Sequence, residues 1–179
     1  MFYISEIHKS NPDVFKTPLQ KMVYNTLNHL HIPFERVDTD EAITMEDCTS
    51  IEKRLNMKMV KTLFLCNRQQ TDFYLFITVG SKPFHSKDFS TALNISRVSF
   101  APSKYLETML GTKIGAATVF SSLLDAENNV RIIFDKDVLS EEWYGCSDGT
   151  TTGYMKIRTD DILKTFLPFT NHTPLIIEV

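Results

Sequence analysis

The run Met57-Lys58-Met59-Val60-Lys61-Thr62-Leu63-Phe64-Leu65-Cys66 constrains this chain more than any other stretch. From Val60 to Cys66 it is apolar and β-branched, the pattern of a buried strand. One lysine, Lys61, interrupts it. A lysine is costly to bury unless something pairs with it. Either the stem of Lys61 packs at a strand edge while its head reaches water, or the cation is aimed into a cleft to hold a phosphate or carboxylate.

The remaining elements arrange themselves around that strand. Thr17-Pro18-Leu19-Gln20 predicts a helix start, with Thr17 as N-cap, Pro18 at the first helical position and Gln20 completing a capping box. The helix should end near His31, before Pro33. A short strand follows over 34–38. Thr44-Met45-Glu46-Asp47 starts a second helix reaching Leu55. The Lys61 strand and a strand over 73–79 form a hairpin across the polar turn 67–72. Helices are expected over 86–93 and 102–110, the second stopped by Gly111, with a strand over 97–100 between them. Strands follow over 130–135, 142–146 and 151–157, the last two flanking a flexible Ser147-Asp148-Gly149. Thr159-Asp160-Asp161 caps a last helix that reaches Leu167 and is closed by Pro168. A strand over 175–179 completes the chain. Hairpins with scattered helices, rather than regular βαβ alternation, predict an α+β domain with a mixed sheet. Residues 1–16 read as an N-terminal extension, and 17–179 as one domain.

The chain has 179 residues, enough for one substantial core. No apolar run approaches the roughly 20 residues of a membrane span. Three cysteines without CxxC spacing predict reduced thiols and a cytoplasmic protein. Charge is unevenly distributed. Residues 1–52 hold 4 basic and 9 acidic side chains, 53–118 hold 10 and 3, and 119–179 hold 5 and 10. A net charge near +7 between two acidic ends suggests an anionic partner such as nucleic acid. Folding could also interleave the three blocks into a mixed surface.

Phosphate-loop, dinucleotide, serine-elbow and HExxH patterns are all missing. The histidines lack metal-ligand spacing, so no metal or other cofactor is expected. The small-residue loop Thr112-Lys113-Ile114-Gly115-Ala116-Ala117-Thr118 has chemical content. A glycine followed by two alanines lets backbone N–H groups approach a carbonyl oxygen or a developing oxyanion.

The order of several pieces resembles a known family. These are Val23-Tyr24, Ile32-Pro33-Phe34-Glu35, Thr44-Met45-Glu46-Asp47, Lys61-Thr62-Leu63-Phe64-Leu65, Val98-Ser99-Phe100-Ala101, Leu110-Gly111 with Gly115, Asp161-Ile162-Leu163 and His172-Thr173-Pro174. Together they resemble the YbaK / prolyl-tRNA-synthetase-associated editing domain, closest to its free-standing branch that removes alanine mischarged on proline tRNA. The resemblance implies a mixed, strongly curved, barrel-like sheet surrounded by helices. It also implies hydrolysis of the ester between a wrong amino acid and the tRNA 3′ end, with the substrate's ribose hydroxyl assisting water.

By the same resemblance Lys61 and Gly115 are the catalytic candidates. Thr44, Thr62, Ala116, Ala117, Thr118 and Ser147 are candidates for binding the aminoacyl group and terminal adenosine. Lys58, Arg68, Lys82, Lys87 and Lys113 are candidates for the tRNA acceptor stem. Two departures stand out. Val119 occupies the usual proline position of the family's GxxxP loop. The His-Pro…Asn pattern is missing from Tyr144-Gly145-Cys146-Ser147-Asp148-Gly149-Thr150-Thr151. They leave open a second function, a module of the same fold that binds aminoacyl-tRNA without turning it over.

Overall fold

The computed structural model describes residues 1–42 and 44–179. Its strands divide between two sheets. The smaller has the order β1-β7-β6, with β1 Glu35–Asp38, β6 Trp143–Ser147 and β7 Gly153–Arg158, all antiparallel. The larger has the order β4-β2-β3-β5-β8. It comprises β2 Val60–Asn67, β3 Phe73–Val79, β4 Val98–Phe100, β5 Val130–Asp135 and β8 Leu175–Ile177. β2 and β3 form the antiparallel hairpin, while β3, β5 and β8 run parallel.

The mixed α+β composition is as expected, but neither sheet closes or curls into a barrel. The edges of the larger sheet explain this. β4 and β8 are three residues each, and prolines stand beside both, at Pro102 and Pro174. Proline has no N–H to extend a ladder. The two sheets meet instead at one parallel bridge, Met59 to Gly145. Gly145 is required there, because a Cβ would run into the Met57 side chain and the Lys58 carbonyl.

Side-chain alternation sorts the strands onto three cores. Phe64 and Cys66 of β2, with Phe73, Leu75 and Ile77 of β3, face a central core between the sheets. Helix α1 (Pro18–His29) and the last helix also bury side chains there. Leu65, Tyr74 and Phe76 face the other way, toward helix α3 (Ser86–Leu93), which presents Phe89. This is why β3 is apolar over Phe73–Ile77: both faces are covered. Helix α2 (Met45–Leu55) covers the smaller sheet with Ile51 and Leu55 against Val37 and Tyr154. Helix α4 (Ser103–Leu110) ends at Gly111 in the left-handed region, as its sequence predicts.

Caps follow the sequence closely. Thr17 accepts from the Gln20 N–H at 3.0 Å. Gln20, however, serves the Lys16 N–H at 2.6 Å rather than that of Thr17. Thr44 and Asp47 form a full capping box.

Three expectations are corrected. Segment 147–149 is not a flexible turn: Ser147 and Asp148 are both buried. The last helix passes through Pro168, running over 159–169 by way of a π-helical stretch, Ile162–Phe166. The wider turn removes the need for the hydrogen bond that proline cannot donate. Thr159 is the first helical residue and not a side-chain cap. Two short helices were not anticipated, the 3-10 helix Val119–Leu124 and α5 (Lys136–Leu139). Residues 1–16 bridge to the edge of β1 at Ile4–Thr39 and His8–Arg36.

Candidate active site

Where the two sheets meet, a cavity of about 430 Å³ opens beneath α2. That volume lies in the usual range for small-ligand sites. Four parts of the chain build it. The start of β2 contributes Met59, Val60, Lys61 and Thr62, and the end of β3 leads into Gly80 and Ser81. β6 and β7 contribute Cys146, Ser147 and Tyr154, and the 112–118 loop contributes Gly115 and Ala117. Helix α2 lays Met45, Cys48, Thr49 and Glu52 over the top, at the i, i+3, i+4, i+7 positions of one face. Gly80 allows the walls to close, since its N–H reaches the Met59 carbonyl at 3.1 Å and a Cβ would sit 2.6 Å from that oxygen.

Lys61 and Gly115 therefore line one hollow although 54 positions separate them. Lys61 pairs in register with Thr78 and its ammonium donates to the Lys82 carbonyl. Its other two N–H donors have no protein partner among the described residues. Gly115 lies in the left-handed region, with φ +89°. The Ala116 N–H closes a turn onto the Lys113 carbonyl at 3.0 Å. The Gly115 and Ala117 N–H groups have no hydrogen-bond partner among the described residues.

The other sequence candidates divide. Thr62 and Ser147 line the cavity, but the Ser147 hydroxyl already donates to the Thr150 carbonyl at 2.6 Å. Thr44 is exposed and caps α2. Thr118 is fully buried; its hydroxyl donates to the Ser147 carbonyl and accepts from the Phe120 N–H, so it ties the loop to β6 rather than facing the cavity. Ala116 turns into a neighbouring hollow with Lys113, Thr112 and Thr150–Thr152.

The lysines and arginine do not form one patch. Lys58 lines the cavity and pairs with Glu141 at 3.1 Å. Arg68 stands in the β2–β3 turn, seven residues along the strand from Lys61, or about 23 Å. Lys87 lies on α3. Lys82 is fully committed: its ammonium meets Asp135 at 2.7 Å, Asp137 at 2.8 Å and the Val179 carbonyl at 2.6 Å. Those three acceptors use all its donors, so Lys82 is unsuited to a phosphate. Asp135 is buried, and burial alone would raise its pKa. Hydrogen bonds from Lys82, Thr78 and the Asp137 N–H outweigh that and hold it below the ordinary value of 3.8.

Several site residues escaped sequence reasoning. Glu52 is the only carboxylate among the cavity's described lining, and it accepts from the Met59 N–H at 2.9 Å. Tyr154 donates to the Thr151 carbonyl at 3.1 Å. Burial, then the nearby Cys48 thiol and Asp148 charge, push its pKa up and keep it a phenol. Cys146 is buried, and burial and Asp148 push its thiol well above 9.0. The stripe Met45–Cys48–Thr49–Glu52 was the readable signal for the α2 wall. Nothing in the sequence marked Asp148. Its carboxylate accepts from Gln20 Nε2 at 2.9 Å and Tyr24 Oη at 2.8 Å on one oxygen, and from the Thr150 N–H and hydroxyl on the other. It fixes the β6–β7 turn, and with it Ser147, against α1.

A strand lysine, Lys61, and a glycine-opened loop at Gly115 thus line one cavity between the two sheets. The chain belongs to the aminoacyl-tRNA editing domain family, whose pattern matches residues 39–165. Among curated proteins, it is 22% identical over 145 residues to the prolyl-tRNA editing protein ProX of Acetoanaerobium sticklandii, covering 81% of this chain and 88% of that one. The fold is shared with a candidate trans-editing enzyme for prolyl tRNA synthetase (TM-score 0.64, 14% identity, 92% of this chain and 99% of the other). It is also shared with the hypothetical protein APE2540 (TM-score 0.67, 13% identity, 87% and 97%).

Proposed function

We propose that this protein is a trans-editing deacylase that hydrolyses the ester of alanine mischarged on proline tRNA. The observation that carries the reading is the placement of Lys61 and the Gly115–Ala117 backbone on one cavity in a chain of the editing family. An aminoacyl ester is already activated, so the protein needs chiefly to orient it and stabilise the oxyanion. The free N–H groups of Gly115 and Ala117 face the ester carbonyl. The two spare donors of Lys61 take a phosphate or ribose oxygen of the terminal adenosine. The Glu52 carboxylate meets the substrate ammonium. Water, assisted by the ribose hydroxyl, attacks the carbonyl carbon; the ester C–O bond breaks, releasing alanine and tRNA with a free terminal hydroxyl. One methylene gives only about 1–3 kcal/mol of discrimination, so contacts to the tRNA body contribute to selectivity.

The test is deacylation of alanyl-, seryl-, cysteinyl- and threonyl-tRNA by wild type, Lys61→Ala and Gly115→Ala. Wild type is expected to clear the alanyl ester fastest. Lys61→Ala should lose roughly 10²-fold or more in kcat/KM, the scale for losing one oriented electrostatic contact. Gly115→Ala meets no clash, the methyl resting in ordinary contact with Thr151 at 3.9 Å, but is forced into the left-handed region, which costs about 1–2 kcal/mol. It should lose activity while the melting temperature falls by about 2–8 °C. Binding of all four charged tRNAs without hydrolysis by the wild type would instead make the protein a carrier.

A further inference from the structure

On the outer face of the larger sheet, one side of α3 borders a hollow of about 550 Å³. Its lining is Ser86, Lys87, Ser90, Thr91 and Asn94, with Ile95 and Arg97 from the following turn. Positions 86, 87, 90, 91 and 94 form one helical face, so the grouping is built by α3 and not by a chance crossing of loops. Two cations and four hydroxyl or amide groups converge there, with no carboxylate in the described lining. The other hollows differ. That beside Ala116 sets Glu41 and Glu107 against Lys16 and Lys113, the candidate active site holds Glu52, and one near β6 is bounded by Glu141, Glu142 and Asp160.

Ser90 adds an independent observation. It is 8% exposed, and its hydroxyl is buried without a hydrogen-bond partner among the described residues. A helical serine ordinarily bonds back to the carbonyl four residues earlier, as Ser50 does to Glu46 at 3.1 Å in α2. A buried polar atom left unpaired costs free energy, and the residue that carries it lines the cationic hollow. A ligand oxygen reaching past Lys87 and Arg97 would satisfy it.

We propose that this hollow is a phosphate-binding site, and that the phosphate it takes belongs to the backbone of the tRNA whose acylated end enters the candidate active site. This rests on the deacylase reading and extends it to a second contact. The connection is short. Ser81 lines the active-site cavity and Ser86 the hollow; five residues span at most about 18 Å. That is about five nucleotides of stacked strand at 3.4 Å each, so one acceptor end can reach both. Lys87 and Arg97 neutralise the phosphate, and Ser90 and Thr91 donate to its oxygens.

The experiment measures binding of uncharged tRNA(Pro) across a salt series by full-length wild type, Lys87→Gln/Arg97→Gln, Ser90→Ala and the control Lys104→Gln. A parallel titration follows backbone amide resonances of 86–97 with inorganic phosphate. The double variant should weaken tRNA binding at least tenfold. It should also flatten the slope of log K against log salt by about 1.4–1.8, or 0.7–0.9 per lost contact. Ser90→Ala should weaken binding by roughly ten- to a hundredfold, the scale of one hydrogen bond to a charged group, without altering the slope. Lys104→Gln should match wild type. If tRNA binding is unmoved but inorganic phosphate shifts the 86–97 resonances of wild type and not of the double variant, the site stands and its source is a free phosphate. If neither responds, the proposal is overturned. Because uncharged tRNA and phosphate are read without turnover, a wild type that fails to deacylate would sink the enzymatic reading alone.

Discussion

Replacing Asp148 by asparagine keeps the shape of the side chain and should still damage the protein. Among the described residues, four donors converge on this carboxylate and no acceptor does. Gln20 Nε2 and Tyr24 Oη meet one oxygen, and the Thr150 N–H and hydroxyl meet the other. An amide must turn its NH₂ toward one of these pairs. Toward Thr150, it faces a backbone N–H that cannot reverse. Toward α1, it faces Gln20, whose oxygen is already held by the Lys16 N–H. On each side only a hydroxyl, that of Thr150 or that of Tyr24, can rotate to accept. At least one buried donor is thus left unpaired, at about 1–3 kcal/mol, and a bond to a charged group is lost, at about 1.5–3 kcal/mol. We take the combined cost as about 3–4 kcal/mol, against typical total stabilities of about 5–15 kcal/mol. For a chain of this length each kcal/mol shifts Tm by about 2–4 °C, giving a drop of about 6–16 °C. Tyr24→Phe removes one donor and leaves Gln20 in place, so its drop should be about half as large. Circular dichroism melts and urea titrations of both singles and the double measure the coupling, which should exceed 0.5 kcal/mol as expected for groups in direct contact. An asparagine variant melting within 2 °C of wild type, or strict additivity, would refute the reasoning.

Lys82→Met should destabilise by about 3 kcal/mol, the lower end for breaking one side of a buried pair, because Asp135 keeps Thr78 and the Asp137 N–H. The pH dependence has a definite sign. The depressed pKa of Asp135 contributes stability that is fully present above its ordinary value of 3.8 and lost as pH falls through the lower folded value. In Lys82→Met that depression shrinks, so the acid-unfolding midpoint, followed by tryptophan fluorescence, should move to higher pH. Alkylation of the native protein with iodoacetamide should label Cys48, which is partly exposed, before Cys66 and Cys146, which are buried. Burial, Glu52 and Asp47 raise the Cys48 thiol above its ordinary 9.0, so mass spectrometry should find the rate still rising past pH 9. Because Cys48 lines the cavity, a non-hydrolysable alanyl-adenosine should protect it; equal labelling with and without that probe would place the substrate elsewhere.

Much of the local structure was legible because its causes are local. Thr17 and Thr44 announce helices through hydroxyls that bond N–H groups three residues on. Gly111 announces a helix end because the left-handed turn there, φ +64°, suits glycine. The β2–β3 hairpin could be read because the apolar runs on either side of 67–72 need no distant partner. The run of the last helix through Pro168 is not legible in the sequence, because a π-helical turn is a response to packing of Ile162 and Phe166, both fully buried, and not a propensity of any residue.

By itself, the amino-acid order determined that Lys61 would stand in a strand, that Gly115 would open a loop, and that the fold would mix sheet and helix. It could not say that the strands part into two sheets, since which edges pair depends on partners dozens of residues apart. Nor could it say that Lys82 is committed to two carboxylates while Lys87 on α3 pairs with none among the described residues, because nearby basic residues look alike until folding supplies their neighbours. Only the tertiary structure made Asp148 a buried hub and brought Lys61, Gly115 and Glu52 around one hollow. The reason is physical: caps and turns are settled within about one helical turn of chain, whereas a cavity or a buried charge exists only once long-range packing has excluded water.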